Sequence, residues 1–428
     1  MGPRTVGVGL LGCGTVGGTL ARTLQSDHER LLRETGLDFS LRRVVVRDAD
    51  KSREGVPSTL LSTRWEDLLS PEIQVVVEVA GGAGPTFEIL KRLIVGGKHI
   101  VTANKVVVSE HGDELLDLAR RHRRWVGFEA SVGAGVPVLH LVREALAGTP
   151  VSRVVGILNG TTNYILTRME ECSETQEAAL RSAQRAGFAE ADPSMDLDGV
   201  DAAQKAAILA TLLTRQVVHG RDVPTEGIRQ VTASDIASAR RFQCSLRLLA
   251  LITCEASDLE VRVHPCLVPS RHPLASVRDQ QNAVWVESPL SGPLLLSGLG
   301  AGGGPTTSAL LADLVDIGWH LGVFEDAAPP WESVGRLRLR PSGESVRRNY
   351  LRFAVADQAG VIGEVTTILG SHGISIESVH AGVEDGSSGE GTLEILTDDS
   401  RERDMADAVK ACEALAQVLG PCRRIRCL

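Results

Sequence analysis

The sequence predicts an α/β protein in three parts, and three observations predict it. An apolar, β-prone run, Thr5 to Leu11, leads through Gly12-Cys13-Gly14-Thr15-Val16-Gly17 into a helical apolar pattern at Val16, Leu20 and Leu24. Strand and helix patterns then alternate, the mark of an open parallel sheet. Beyond Ser342 the order becomes strand, helix, strand, strand, helix, strand, a ferredoxin-like split βαβ plan. A chain of 428 residues has room for two or three domains with sizeable cores.

The glycine turn is the first element to justify. Its glycines permit a tight turn and let backbone approach a pyrophosphate seated at a helix N-terminus. Alone, Gly-x-Gly-x-x-Gly is a weak signal; following a strand and opening a helix, it predicts a Rossmann-type dinucleotide fold. A second strand, Leu41 to Val46, ends in Arg47-Asp48, where an acidic residue would favour NAD. Arg47 comes first and is suited to a 2′-phosphate, which tilts the expectation to NADP with NAD possible; the plain alternative is a solvated strand end. Val75 to Val79 is a third strand followed by Gly81-Gly82, Leu90 to Val95 completes a helix, and His99 to Thr102 is a fourth strand ending at Ala103-Asn104-Lys105. Trp125 to Glu129 is the fifth. Ligands of parallel sheets bind at the carboxyl ends of strands, so Gly12, Gly81 and Lys105 fall where a ligand would lie. Leu10-Leu11-Gly12-Cys13 also has the look of a lipoprotein cleavage box, but one arginine precedes it and glycines thin the apolar stretch.

The middle part runs from Pro137 to about Gly322. Val154 to Leu158 reads as a strand leading to Asn159-Gly160-Thr161-Thr162-Asn163-Tyr164, small polar residues suited to a pocket wall. Further strands are expected at Leu259 to Val263 and Ala283 to Glu287. The glycine-rich stretch Gly298 to Thr306, which includes Gly300, precedes an apolar helix, Ser308 to His320, that would pack back on the first domain and complete the cofactor cleft. A linker is expected at Ala327 to Trp331, around Pro329-Pro330. The last part is expected to hold strands Tyr350 to Val355, Ser375 to His380, Thr392 to Thr397 and Arg423 to Cys427, helices Val361 to Leu369 and Asp404 to Val418, and a hairpin turn at Gly386-Ser387-Ser388-Gly389. The implied domains are 1–136, completed by about 305–322; 137–326; a linker, 327–345; and 346–428.

Composition narrows the function. A net charge of −9 without a basic stripe argues against nucleic acid. Arg120, Arg121, Arg123 and Arg124 cluster where a helix ends and cations suit the dipole. No apolar run is long enough to span a membrane. The cysteines show no CxxC spacing, which fits a reducing, cytoplasmic setting and predicts neither a disulfide framework nor a zinc site.

The most informative stretch is Gly187 to Lys205. Glu190, Asp192, Asp196, Asp198, Asp201 and Lys205 run straight into Ala206, Ala207, Ile208, Leu209 and Ala210. Asp201 and Lys205 share one helix face, on a helix too apolar for the surface. A lysine at the edge of a core shifts its pKa readily and can pass a proton. The bland alternative is a surface pair worth a few tenths of a kcal/mol, with Asp196 or Asp198 a simple N-cap.

Together these features resemble homoserine dehydrogenase in the form that carries a C-terminal ACT domain, over essentially the whole chain. The resemblance rests on Ala130 to Pro137, Gly156 to Tyr164, Gly187 to Lys205, Val101 to Lys105, and Asp357-Gln358-Ala359-Gly360-Val361. No kinase segment precedes residue 1, which implies the monofunctional type. The resemblance implies NAD(P)-linked interconversion of L-aspartate 4-semialdehyde and L-homoserine, on the way to threonine, methionine and isoleucine. It implies Lys205 as general acid/base with Asp201 beside it, and Glu190 as the carboxylate for the substrate amino group. Asp196, Asn159 and Thr161 are expected in the substrate pocket. Lys105 is expected near cofactor and substrate, with Gly12, Cys13, Gly14, Thr15, Val16, Gly17, Arg47 and Gly300 around the cofactor. A monovalent cation such as Na+ is implied at Glu129, Val132, Ala134 and Val136, where carbonyls and one carboxylate suit a hard ion. A catalytic and dimerisation role for the middle domain, a homodimer or higher oligomer, and threonine as effector are implied too. Ala359 and His380 depart from the ACT pattern, which bears on that effector. Two other readings remain: a catalytically silent amino-acid sensor, and a dehydrogenase for a related amino-acid substrate.

Overall fold

The computed structural model describes residues 4–255, 257–321, 337–383 and 389–428. Strand β1 (Arg4–Leu11) turns at Gly12 into α1 (Thr15–Ser26), followed by α2 (His28–Thr35), β2 (Leu37–Val45) and the short β3 (Leu61–Ser62). β4 (Val75–Glu78), α3 (Gly84–Val95), β5 (His99–Thr102), α4 (Lys105–Arg121) and β6 (Val126–Gly127) complete a sheet of order β3-β2-β1-β4-β5-β6. Every pairing in it is parallel. Leu10 and Leu11 lie in β1 and are buried, as a strand covered on both faces requires. The expected fifth strand shrinks to two residues because Glu129–Ser131 curls into a 3₁₀ turn.

The middle domain comprises α5 (Val138–His140), β7 (Arg153–Ile157), α6 (Gly160–Cys172), α7 (Gln176–Arg185), α8 (Ser194–Leu197), α9 (Val200–Thr214), α10 (Ala233–Arg241), β8 (Cys244–Cys254), β9 (Asp258–Pro269), β10 (Gln281–Ser288), β11 (Gly292–Leu299) and α11 (Gly303–His320). β8 is absent from the sequence reading, and β9 runs on to Pro269 rather than ending at Val263. The two pair along eleven residues, from Cys244↔Pro269 to Cys254↔Leu259. α11 does pack back on the nucleotide domain: Ala309, Leu310, Leu314 and Ile317 share a core with Leu20, Ala21 and Leu24 of α1.

The C-terminal part holds β12 (Arg338–Leu339), β13 (Val346–Arg347), β14 (Asn349–Ala356), α12 (Val361–Ser371), β15 (Ile376–Val383), β16 (Glu390–Thr397), β17 (Ser400–Arg401), α13 (Glu402–Glu413) and β18 (Arg423–Cys427). Its strand order, β18-β14-β16-β15, is that of the split βαβ plan. α13 stops at Glu413, short of the expected Val418, because Val418 is drawn into a bridge with Val355. The expected linker core, 327–331, and the hairpin residues 386–388 lie outside the described residues. β18 also pairs parallel to β9, so the two domains share a ten-stranded sheet.

Candidate active site

Asp201 is the hub. It sits in the first turn of α9, where a carboxylate suits the helix dipole, and it is only 4% exposed. The turn that delivers it is Gly199, in the left-handed region at φ 79°. Neither Asp196 nor Asp198 caps the helix; Asp198 pairs with Arg229 at the surface instead. Asp201 Oδ2 accepts from Lys205 Nζ at 2.7 Å and from Asn159 Nδ2 at 2.9 Å, and Oδ1 accepts from Lys105 Nζ at 2.7 Å. Burial alone would push this carboxyl up, but Lys205 and Lys105 outweigh it and hold the group well below the usual carboxylate range. Lys105 feels the converse: burial disfavours its charge, and Asp201 more than restores it, with Asp196 and Glu190 adding to the effect.

Lys205 shares α9 with Asp201, and the other two partners arrive on separate elements. Lys105 opens α4, and the Asn104 side chain caps that helix by accepting from the Val107 N–H. Asn159 does the same for α6, accepting from the Thr162 N–H at 2.8 Å, while its Nδ2 also donates to Asp196 Oδ1 at 2.6 Å. Burial pushes the Asp196 carboxyl above its ordinary value, against the Asn159 bond, and the charge of Asp201 adds to the rise. Lys205 Nζ donates to the Leu158 carbonyl at 2.8 Å as well as to Asp201. An ammonium has three protons, so one is left for a substrate. Thr161 Oγ1 donates to the Phe188 carbonyl at 2.7 Å and so tethers the loop that carries the exposed Glu190.

At the nucleotide turn, Gly12 adopts φ 95°, and a Cβ there would lie 2.6 Å from Ala80 N. No side chain caps α1, so the first-turn N–H groups of Thr15, Val16 and Gly17, just after the Gly12-Cys13-Gly14 turn, are not taken by a capping side chain, as an anion site at a helix N-terminus requires. Burial raises the Cys13 thiol, opposed by the nearby cations Arg53 and Arg22. Arg47 is exposed beyond β2. Arg22 and Arg53 were not singled out from sequence; only the fold brings them to the turn. Gly300 lies against the carboxamide of Asn282, whose Nδ2 donates to the same Leu158 carbonyl at 3.1 Å.

The loop of Glu129, Val132, Ala134 and Val136 lies beside α11. Glu129 is 2% exposed, and its carboxylate accepts from the N–H groups of Leu139 and His140 and meets the His140 ring. Ala134 has φ 41°, and the Val136 carbonyl accepts from Val138 N. A cavity of about 690 Å³ lies elsewhere, walled by Leu116, Phe128, Val142, Leu212 and Leu337 together with Arg143, Glu144 and Asp316, and none of Lys105, Asn159, Asp201 or Lys205 lines it.

The sequence matches the family "Homoserine dehydrogenase" over residues 137–315, its NAD binding domain over 12–129 and the ACT domain over 349–417. It is 39% identical to the homoserine dehydrogenase of Synechocystis sp., covering 97% of each chain. The fold superposes on a homoserine dehydrogenase from Thiobacillus denitrificans with a TM-score of 0.94 at 35% identity, covering 100% of this chain and 99% of that one. A hyperthermophilic archaeal homoserine dehydrogenase in complex with NADPH gives a TM-score of 0.61 at 27% identity, over 74% of this chain and 99% of that one. A nucleotide turn, two lysines on one buried aspartate and these matches lead to one conclusion: the chain belongs to the homoserine dehydrogenase family, in the form with a C-terminal ACT domain.

Proposed function

We propose that the protein interconverts L-homoserine and L-aspartate 4-semialdehyde with NADP, and less readily with NAD, in the biosynthesis of threonine, methionine and isoleucine. The observation that carries the reading is Lys205, with two of its protons held by Asp201 and Leu158 and a third free. When bound, the nicotinamide exchanges a hydride with the substrate carbon. As the aldehyde is reduced, negative charge grows on its oxygen, and the Lys205 ammonium both stabilises that charge and supplies the proton. Asp201 holds Lys205 and Lys105 in register, and Glu190 and Asp196 take the substrate ammonium. Asn159 and Thr161 fix the walls of this pocket.

The N–H groups of the Gly12–Gly17 turn would hold the pyrophosphate, and Gly300 would border the cofactor. Arg47, with Arg22 and Arg53 near the turn, favours a 2′-phosphate, in keeping with the NADPH complex of the archaeal relative. The Glu129 loop offers oxygen donors to a monovalent cation: Glu129 Oε1, which keeps one lone pair after accepting from the Leu139 N–H, and the carbonyls of Val132, Ala134 and Val136. A homodimer in the cytoplasm, with threonine bound at the ACT domain as a feedback inhibitor, completes the reading.

An absorbance assay at the nicotinamide band tests it, with homoserine and each of NAD and NADP. Reduction of NADP at the higher kcat/KM is expected; no turnover with either cofactor would favour the sensor reading. Threonine added at millimolar concentration should slow the rate, and an unaltered rate would remove the regulatory part.

A further inference from the structure

We infer that Asn282 is a positioning residue for Lys205, fixing the backbone carbonyl that holds the lysine and tying it to the glycine loop of the cofactor cleft. The antiparallel ladder between β7 and β10 runs from Arg153↔Glu287 to Ile157↔Ala283. At the next step, Leu158 opposite Asn282, the carbonyl of Leu158 accepts from two side chains instead: Asn282 Nδ2 at 3.1 Å and Lys205 Nζ at 2.8 Å. A carbonyl oxygen has two lone pairs, so both are used. The lysine therefore hangs from a carbonyl whose own direction Asn282 sets.

Two features set Asn282 apart from a filler of the core. It is 1% exposed, yet its Oδ1 has no hydrogen-bond partner. An apolar side chain of the same shape would avoid that cost, and what the amide gives in return is the bond from its Nδ2 to the Leu158 carbonyl. Its carboxamide also lies flat on Gly300, where a Cβ would stand 2.1 Å from Asn282 Cγ. Gly300 leads to the start of α11, and there a Cβ on Gly303 would come 2.9 Å from Thr19 Oγ1 of α1, the helix of the nucleotide turn. One amide thus bridges the cofactor side and the proton donor.

The inference rests on the reading of Lys205 as proton donor, and the test separates the two. Asn282→Leu keeps the shape and removes the donor. Its kcat for homoserine oxidation should fall about ten- to a hundredfold, with KM for homoserine and NADP within about twofold. Its melting temperature should hold, and the solvent deuterium isotope effect on kcat should rise as proton transfer becomes slower. Gly300→Ala, which displaces the carboxamide, should lower kcat too, and the double variant should lose less than the product of the two. Wild-type kcat and isotope effect in Asn282→Leu would overturn the inference. So would a fall in kcat matched by a rise in cofactor KM and a lower melting temperature. Lys205→Ala is assayed alongside: if it stays active, the proton-donor reading itself fails. If it is inert while Asn282→Leu is fully active, only the role of Asn282 is lost.

Discussion

Asp201 carries more of the site than any other side chain, because it is one buried carboxylate between two ammonium groups. Its stabilising contribution is present above the ordinary aspartate pKa of about 3.9 and is lost as pH falls toward its lower folded value. Asp201→Asn should therefore flatten the acid limb of the unfolding profile below about pH 4, measured by circular dichroism across a pH series. A limb as steep as that of the wild type would mean that Asp201 does not hold this charge balance. For Lys205→Ala, loss of general acid–base catalysis should cost about 10²–10⁴-fold in kcat while NADPH binding, read by fluorescence titration, stays nearly intact. The Asp201–Lys205 pair was legible because four-residue spacing puts both on one helix face. The Asn282–Leu158 bond was not: a lone asparagine far along the chain gives no local signal, and only the β7–β10 pairing brings it near.

At the scale of elements, the strands of the nucleotide domain were legible because parallel strands buried on both faces read as continuous apolar runs. β8 is apolar from Leu248 to Ile252, but Ser245 and Arg247 interrupt the pattern nearer its start and no turn chemistry marked its ends, and its partner β9 was recognised over less than half its length. The glycine turn carried the clearest signal, since its spacing answers a local steric demand. Gly12 is at φ 95° with Ala80 N 2.6 Å from where a Cβ would be. Gly12→Ala should thus force apart β1 and the end of β4. The expected outcome is a loss of cofactor affinity of at least tenfold, about 1.4 kcal/mol, seen as a raised KM for NADP at little change in the far-UV spectrum. Unchanged KM would place the cofactor away from this turn.

For the whole molecule, the joined sheet is the feature that sequence could not show, because β18 meets β9 across more than 150 intervening residues and only one short parallel contact. Buried charge reinforces the junction. Glu402 of α13 accepts from Arg426 at 2.8 Å and Arg424 at 2.9 Å on β18, and Arg426 reaches Glu226 of the middle domain at 2.8 Å. Glu260 on β9 pairs with Arg262 at 3.0 Å and with Arg347, beside the ACT strands, at 2.9 Å. α10 closes the other side: Asp235 holds Arg352 at 2.9 Å and Arg423 at 3.1 Å. Such pairs are weak evidence of net stability, but removing one member strands the rest. Glu402→Gln would leave Arg424 and Arg426 facing each other in a mostly buried site, at a cost of about 3–5 kcal/mol. A domain joined this way should not melt alone. Calorimetry of the full chain should give a transition in which the ACT and middle domains unfold together, and Glu402→Gln should shift that joint transition down. If instead the variant splits off a separate low-temperature transition and leaves the rest unmoved, the ACT domain is an appended module and the shared sheet carries no coupling.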